Sequence, residues 1–147
     1  MALEVVRTTV APRPIAVLTA TTTWQEYPRV WRQLLDGVHA NIRWGGTGHK
    51  GRNVMLYHDD VPHVEVGVEL DQPAEFDEPV IRSTLPAGDV VMTVHQGPFE
   101  GLGAGHDAIL RWCGEQGLHR AGPRWEIYGH WYEDPAKLQT EIYYLLD

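Results

Sequence analysis

The chain has 147 residues, 43% hydrophobic, 22% charged and 10% aromatic, which suits one compact globular domain and leaves little room for a second. Twelve Lys and Arg against twenty Asp and Glu give a net charge of -8, which opposes the phosphate attraction behind nucleic-acid binding and excludes DNA or RNA as a direct partner. Six Trp and six Tyr against two Phe make the aromatic content almost wholly amphipathic, suited to lining a cavity while offering a polar edge.

Cys113, the single cysteine, cannot close an internal disulfide, and the N-terminus lacks a basic segment followed by an apolar run. No apolar stretch approaches the roughly 18 residues that cross a bilayer, and no basic amphipathic face suggests a membrane surface. A soluble cytoplasmic protein without a membrane partner is expected.

Along the chain, Leu3 to Thr8 and Ile15 to Thr19 alternate apolar and polar residues and read as one interrupted strand or two, separated by Pro12-Arg13-Pro14. Thr23 and Glu26 have the spacing of a capping box, and Trp24, Tyr27, Trp31, Leu34, Leu35 and Val38 then recur at helical intervals. Gly45 to Gly51 breaks regular structure and reads as a surface loop able to act as a lid. Asn53 to His58 and Val64 to Leu70 are β-rich runs joined by a short Asp59-Asp60-Val61-Pro62 turn, an antiparallel pair.

After an acidic loop from Asp71 to Pro79, the strands Val80 to Thr84 and Asp89 to His95 read as a second hairpin around Pro86-Ala87-Gly88. Gly97-Pro98 opens a helix to about Glu115, with Leu102, Ile109, Leu110 and Cys113 on one side and Gly117 as its stop. Strands from Trp125 to Trp131 and Thr140 to Leu146 follow, separated by Glu133-Asp134-Pro135-Ala136. The second half thus repeats the order of the first, strand, helix, hairpin. Tyr57-His58-Asp59-Asp60 corresponds to Tyr132-Glu133-Asp134-Pro135, and Val64-Glu65-Val66 to Thr140-Glu141-Ile142. Two pseudo-repeats, about 1–75 and 76–147, in one α+β domain of antiparallel sheet and two main helices are expected.

Leu85-Pro86-Ala87-Gly88 before a strand, His95-Gln96-Gly97-Pro98-Phe99-Glu100-Gly101-Leu102 at the helix start, Trp112 in the helix, and Gly122-Pro123-Arg124-Trp125-Glu126-Ile127-Tyr128 on the next strand occur in order. On these the chain resembles the GyrI-like, or AraC-type effector-binding, domain superfamily, distinctively from about Leu85 onward and more loosely before it. The resemblance implies a duplicated SHS2-like module with a curved antiparallel sheet and a central cleft that binds varied, often cationic or aromatic, drug- or toxin-like molecules. Many relatives are sensor parts of transcription regulators. With no residues for a helix-turn-helix reader, this chain resembles the free-standing members. Some of those bind drugs, some act on a DNA gyrase partner, and some are hydrolases that open strained cyclopropanes of DNA-alkylating natural products.

The family's central acidic residue maps onto Glu126. From strand alternation alone Glu126 reads as a residue on a solvated face paired with Lys or Arg; the resemblance instead places it in the cleft. Alternation puts Glu126 and Tyr128 on one face and Trp125, Ile127 and Trp131 on the other. A carboxylate among aromatic rings is costly to desolvate, so its pKa is expected to rise until a cation or hydrogen-bond donor compensates it. Tyr57, Tyr128, Trp112 and Phe99 are candidate ligand-wall residues that equally suit plain core positions, and Trp44 is a candidate shield. In an enzyme, Glu126 would be general base or general acid, with Tyr128 or His95 holding a water.

Three functions follow as expectations: binding of an amphipathic, aromatic or cationic small molecule for sequestration or sensing, cyclopropane hydrolysis by the same glutamate, and a protein-interaction module such as a gyrase modulator. The eight histidines read as scattered surface residues with no zinc-type spacing, so no metal is expected. Gly45 to Gly51 lacks a Ser or Thr after Lys50, and Gly101, Gly103 and Gly105 miss the dinucleotide spacing, so no cofactor is expected.

Overall fold

The computed structural model describes residues 4–45 and 50–147. Most of the expected lid, and Leu3 at the start of the first expected strand, lie outside the described residues. In chain order the elements are β1 (Val6–Val10), β2 (Arg13–Thr21), α1 (Tyr27–Ala40), β3 (Ile42–Trp44), β4 (Asn53–Tyr57), β5 (His63–Glu69), β6 (Ala74–Phe76), β7 (Ile81–Leu85), β8 (Gly88–Gln96), α2 (Leu102–Gln116), β9 (Arg120–Tyr128) and β10 (Gln139–Leu146). The chain divides into two compact units, Pro12–Leu85 and Met1–Ala11 with Pro86–Asp147. Antiparallel strands and two main helices make it an α+β protein. No helix among the described residues is long and apolar enough to cross a membrane.

In the unit Pro12–Leu85 the strands pair antiparallel in the order β4-β5-β2-β7. Ala16 and Val68 face each other in register and, with Val38, Ile42 and Val80, form its aliphatic core. α1 begins later than the capping-box spacing implied, and that box does not form. The Thr23 hydroxyl accepts from the Glu26 amide at 3.2 Å, but the Glu26 carboxylate turns to Arg29 at 2.6 Å. Pro28 occupies the first turn, where a missing N–H costs no helical bond, and the chain enters the helix through a tight turn on the Thr23 carbonyl. Trp24 is accordingly exposed ahead of the helix. The acidic stretch expected to be loop contributes β6, which pairs with β3 in a small separate sheet.

The other unit orders its strands β1-β8-β10-β9. The expected hairpin of the Val80 and Asp89 strands is therefore a correction: β7 pairs with β2, whereas β8 pairs with β1 and β10. Pro86 offers no amide to a ladder and Gly88 turns the chain with a φ of 132°, so the two strands part instead of folding back. α2 ends at Gly117 in the left-handed region, as its position implied. It packs Ile109 and Cys113 on Val91, Ile142, Tyr144 and Leu146. Leu110, expected on that side, is exposed, and Trp131, expected to continue β9, is 71% exposed in the loop beyond it.

Candidate functional site

Register places the site before any side-chain contact is considered. Ile142 of β10 lies opposite Thr93 of β8 and Glu126 of β9, and Thr140 lies opposite His95 and Tyr128. These residues share the sheet face onto which α2 packs, because cross-strand partners point the same way. The helix approaches closely: a Cβ on Gly105 would stand 2.6 Å from Ile142 Cδ1, and one on Gly101 would stand 2.8 Å from His95 Cε1. His95 Nε2 meets the Pro98 carbonyl at 2.7 Å and must carry the hydrogen, which ties the strand to the helix entry.

That approach delivers His106 to the sheet. Glu126 is 5% exposed. Its Oε2 lies 2.6 Å from His106 Nε2, and its Oε1 accepts from the Tyr128 hydroxyl at 2.7 Å. His106 Nδ1 lies 2.7 Å from the Tyr144 hydroxyl on β10, and the Arg124 guanidinium stands 6.0 Å over the Tyr144 ring. Phe99, 45% exposed, meets Tyr128 edge-on at 5.6 Å between ring centres. Thr140, fully buried beside Tyr128, has no hydrogen-bond partner for its hydroxyl among the described residues. The arrangement is a carboxylate withdrawn from water, bonded to an imidazole and a phenol, with a partly exposed ring against the phenol. It can neutralise a cation, accept a hydrogen bond or pass a proton.

Of the residues expected to line a site, Glu126, Tyr128 and Phe99 come together here. Trp112 packs against the core beneath α2. Tyr57 lies in the other unit, in a ring cluster with Trp24 at 5.5 Å and Tyr27 at 5.4 Å. Trp44, in that same unit, lines a surface hollow of about 720 Å³ with Arg43, Leu70, Gln72 and Arg82. The reading of all histidines as surface residues is corrected by His95 and His106, which are largely inside. His106 had a visible signal: with Leu102, Ile109 and Cys113 it completes a stripe at spacings of four, three and four along α2. Tyr144 alternates with Ile142 and Leu146 along β10. Among the described residues no group of three His, Cys, Asp or Glu could hold a metal ion.

The profile of the GyrI-like small molecule binding domain matches residues 4–146. The EcmrR C-terminal domain superposes with a TM-score of 0.71 at 18% identity, covering 100% of this chain and 99% of that one. SAV2435 bound to tetraphenylphosphonium gives 0.67 at 11% identity over 100% and 94%, and a hydrolase from Listeria innocua gives 0.60 at 13% over 98% and 92%. At these identities the likeness is one of fold. No curated protein sequence matches. The profile, spanning nearly the whole chain, establishes that this protein belongs to the GyrI-like small-molecule-binding domain family.

Proposed function

We propose that the Glu126 site binds amphipathic aromatic molecules, preferentially cationic and drug- or toxin-like, and thereby sequesters or senses them. The observation that carries the reading is a carboxylate 5% exposed that holds the Tyr128 hydroxyl, with the partly exposed Phe99 ring edge-on to Tyr128. A buried carboxylate is expensive to keep ionised, and a ligand cation arriving with its own apolar rings repays that cost. Ring contacts are non-directional and tolerate different ligand shapes, so charge selects while shape selects little. Tetraphenylphosphonium, the ligand in the SAV2435 structure, is a suitable probe because its charge is permanent.

Glu126→Gln keeps the shape and removes the charge. It should weaken tetraphenylphosphonium at least roughly tenfold, about 1.4 kcal/mol, by titration calorimetry, and leave the neutral triphenylphosphine oxide within about twofold. Unchanged discrimination between the two compounds would reject the charge reading.

A second reading, hydrolysis of an electrophilic cyclopropane, draws support from His106, because a carboxylate and an imidazole 2.6 Å apart can pass a proton between them. It requires multiple turnovers per protein molecule, lost in Glu126→Gln. Capture of one equivalent without released product counts against it.

A further inference from the structure

We propose that His106 is the specificity-determining residue for ligand charge: one proton held between His106 and Glu126 and one positive charge on the ligand exclude each other. This rests on Glu126 being the ligand-facing carboxylate. Both ring nitrogens of His106 are engaged, Nε2 with Glu126 Oε2 at 2.6 Å and Nδ1 with the Tyr144 hydroxyl at 2.7 Å.

Two proton inventories satisfy the same heavy-atom positions. In the first, Tyr144 O–H donates to Nδ1, Nε2–H donates to the carboxylate, and the imidazole is neutral beside a negative Glu126. In the second, one more proton is present. Nδ1–H then donates to the Tyr144 oxygen, and the proton on the Nε2 to Oε2 line serves either partner. Tyr144 makes the exchange possible without movement, since a hydroxyl turns from donor to acceptor by rotating one hydrogen. The first state is one unit more negative and favours a cation; the second favours a neutral ligand.

Titratable or charged groups near the pair among the described residues are Arg124 over the Tyr144 ring, Tyr128 on the other Glu126 oxygen, His95 on the same sheet face of β8, and Asp107, the next residue along α2. His95 is tied through Nε2 to the Pro98 carbonyl. Tyr128 and His106 both bond Glu126 oxygens, and of the two only the imidazole can take up a further proton on its other nitrogen.

The test is calorimetry of tetraphenylphosphonium and triphenylphosphine oxide between about pH 5 and about pH 9 on the whole protein and on His106→Gln, whose amide can still donate to Oε2 but cannot ionise. For the unaltered protein, cation affinity should fall by up to about tenfold per pH unit on the acid side. Binding should release one proton, read from the dependence of the heat on buffer ionisation enthalpy. His106→Gln should lose both the slope and the proton release. A flat profile for the unaltered protein, or the same slope in His106→Gln, overturns the proposal. If Glu126→Gln binds tetraphenylphosphonium undiminished, the underlying reading of Glu126 fails too; if it binds weakly while His106→Gln keeps the slope, only the role of His106 falls. Should His106→Gln not fold, the His106 imidazole resonances of the unaltered protein must titrate at lower pH with the phosphonium bound than without, and an unmoved titration refutes the proposal.

Discussion

In both units a strand after the helix, β9 directly and β4 beyond the short β3, carries a tyrosine two residues after a side chain that accepts its hydroxyl, but the acceptors differ in kind. In β9 Tyr128 donates to the Glu126 carboxylate at 2.7 Å; in β4 Tyr57 donates to the Met55 thioether at 3.6 Å. Each helix adds a third group, His106 at 2.6 Å from Glu126 and Tyr27, whose hydroxyl donates to Met55 at 3.0 Å. The cross-strand neighbours continue the contrast, with Thr140 opposite Tyr128 and Val64 opposite Tyr57. The same local geometry thus stands with a thioether or with a carboxylate and imidazole. A strand-helix-hairpin unit does not need the polar version, and a buried polar pair is a poor source of stability, which accords with the binding role proposed for Glu126.

The comparison breaks most violently on the opposite sheet face. Trp125 and Tyr143, cross-strand partners, stack at 5.4 Å and 11°; the matching pair in the other unit is Val54 and Gly67. A Cβ on Gly67 would stand 1.8 Å from the Ala16 carbonyl oxygen, a backbone atom that cannot step aside without parting β5 from β2. Gly67→Ala should cost about 3 kcal/mol or more by denaturant titration. A loss under about 1 kcal/mol would show that these strands have slack the register does not suggest.

Exchanging the chemistry between units sharpens the contrast. Glu126→Met with His106→Tyr rebuilds the Tyr27, Met55 and Tyr57 trio beneath α2. Its stability should equal or exceed that of the unaltered protein, because apolar replacement of a buried ionic pair is often neutral or stabilising by about 1 to 4 kcal/mol. Its affinity for tetraphenylphosphonium should fall at least roughly tenfold. Glu126→Met alone should be less stable than the double variant, since His106 Nε2 then loses its acceptor. A double variant that unfolds would mean that the two sites are not interchangeable packings.

How far the sequence exposed this follows the range of each signal. That Glu126 and Tyr128 share a sheet face was legible because a two-residue alternation acts within one strand. The helix stop at Gly117 was legible for the same reason, a conformational need confined to one residue. His106 was passed over although it lies on the apolar stripe of α2, because a histidine on such a stripe declares no partner until β9 and β10 are brought beneath it. The partition of β7 and β8 was illegible, since two adjacent strands joined by Pro86 to Gly88 satisfy hairpin spacing while their pairing depends on distant β2, β1 and β10. The assignment of Tyr57 to Tyr132 missed for a related reason: the loop after β9 is longer than the loop after β4, and pairing with Val64 and Thr140 makes Tyr128 the counterpart.

The smallest expected effect separates the two cores by their response to alkali. Ala16, Val38, Ile42, Val68 and Val80 beneath α1 contain nothing that ionises, whereas the cluster beneath α2 includes Cys113, 2% exposed. Burial pushes the Cys113 thiol up, and Arg120 offsets part of that rise. A thiol raised in the folded state is held protonated there while the unfolded chain releases its proton at the ordinary value. The stability it contributes is therefore complete below that value and is lost as pH rises through it toward the folded value. Cys113→Ala should lower stability at neutral pH by about 1 to 2 kcal/mol through the lost packing, yet show a shallower decline above about pH 9 in denaturant midpoints. Alkylation of native Cys113 should proceed no faster than unfolding, because a buried protonated thiol offers no nucleophile. Rapid labelling of the folded protein would place the thiol at the surface and remove the asymmetry between the cores.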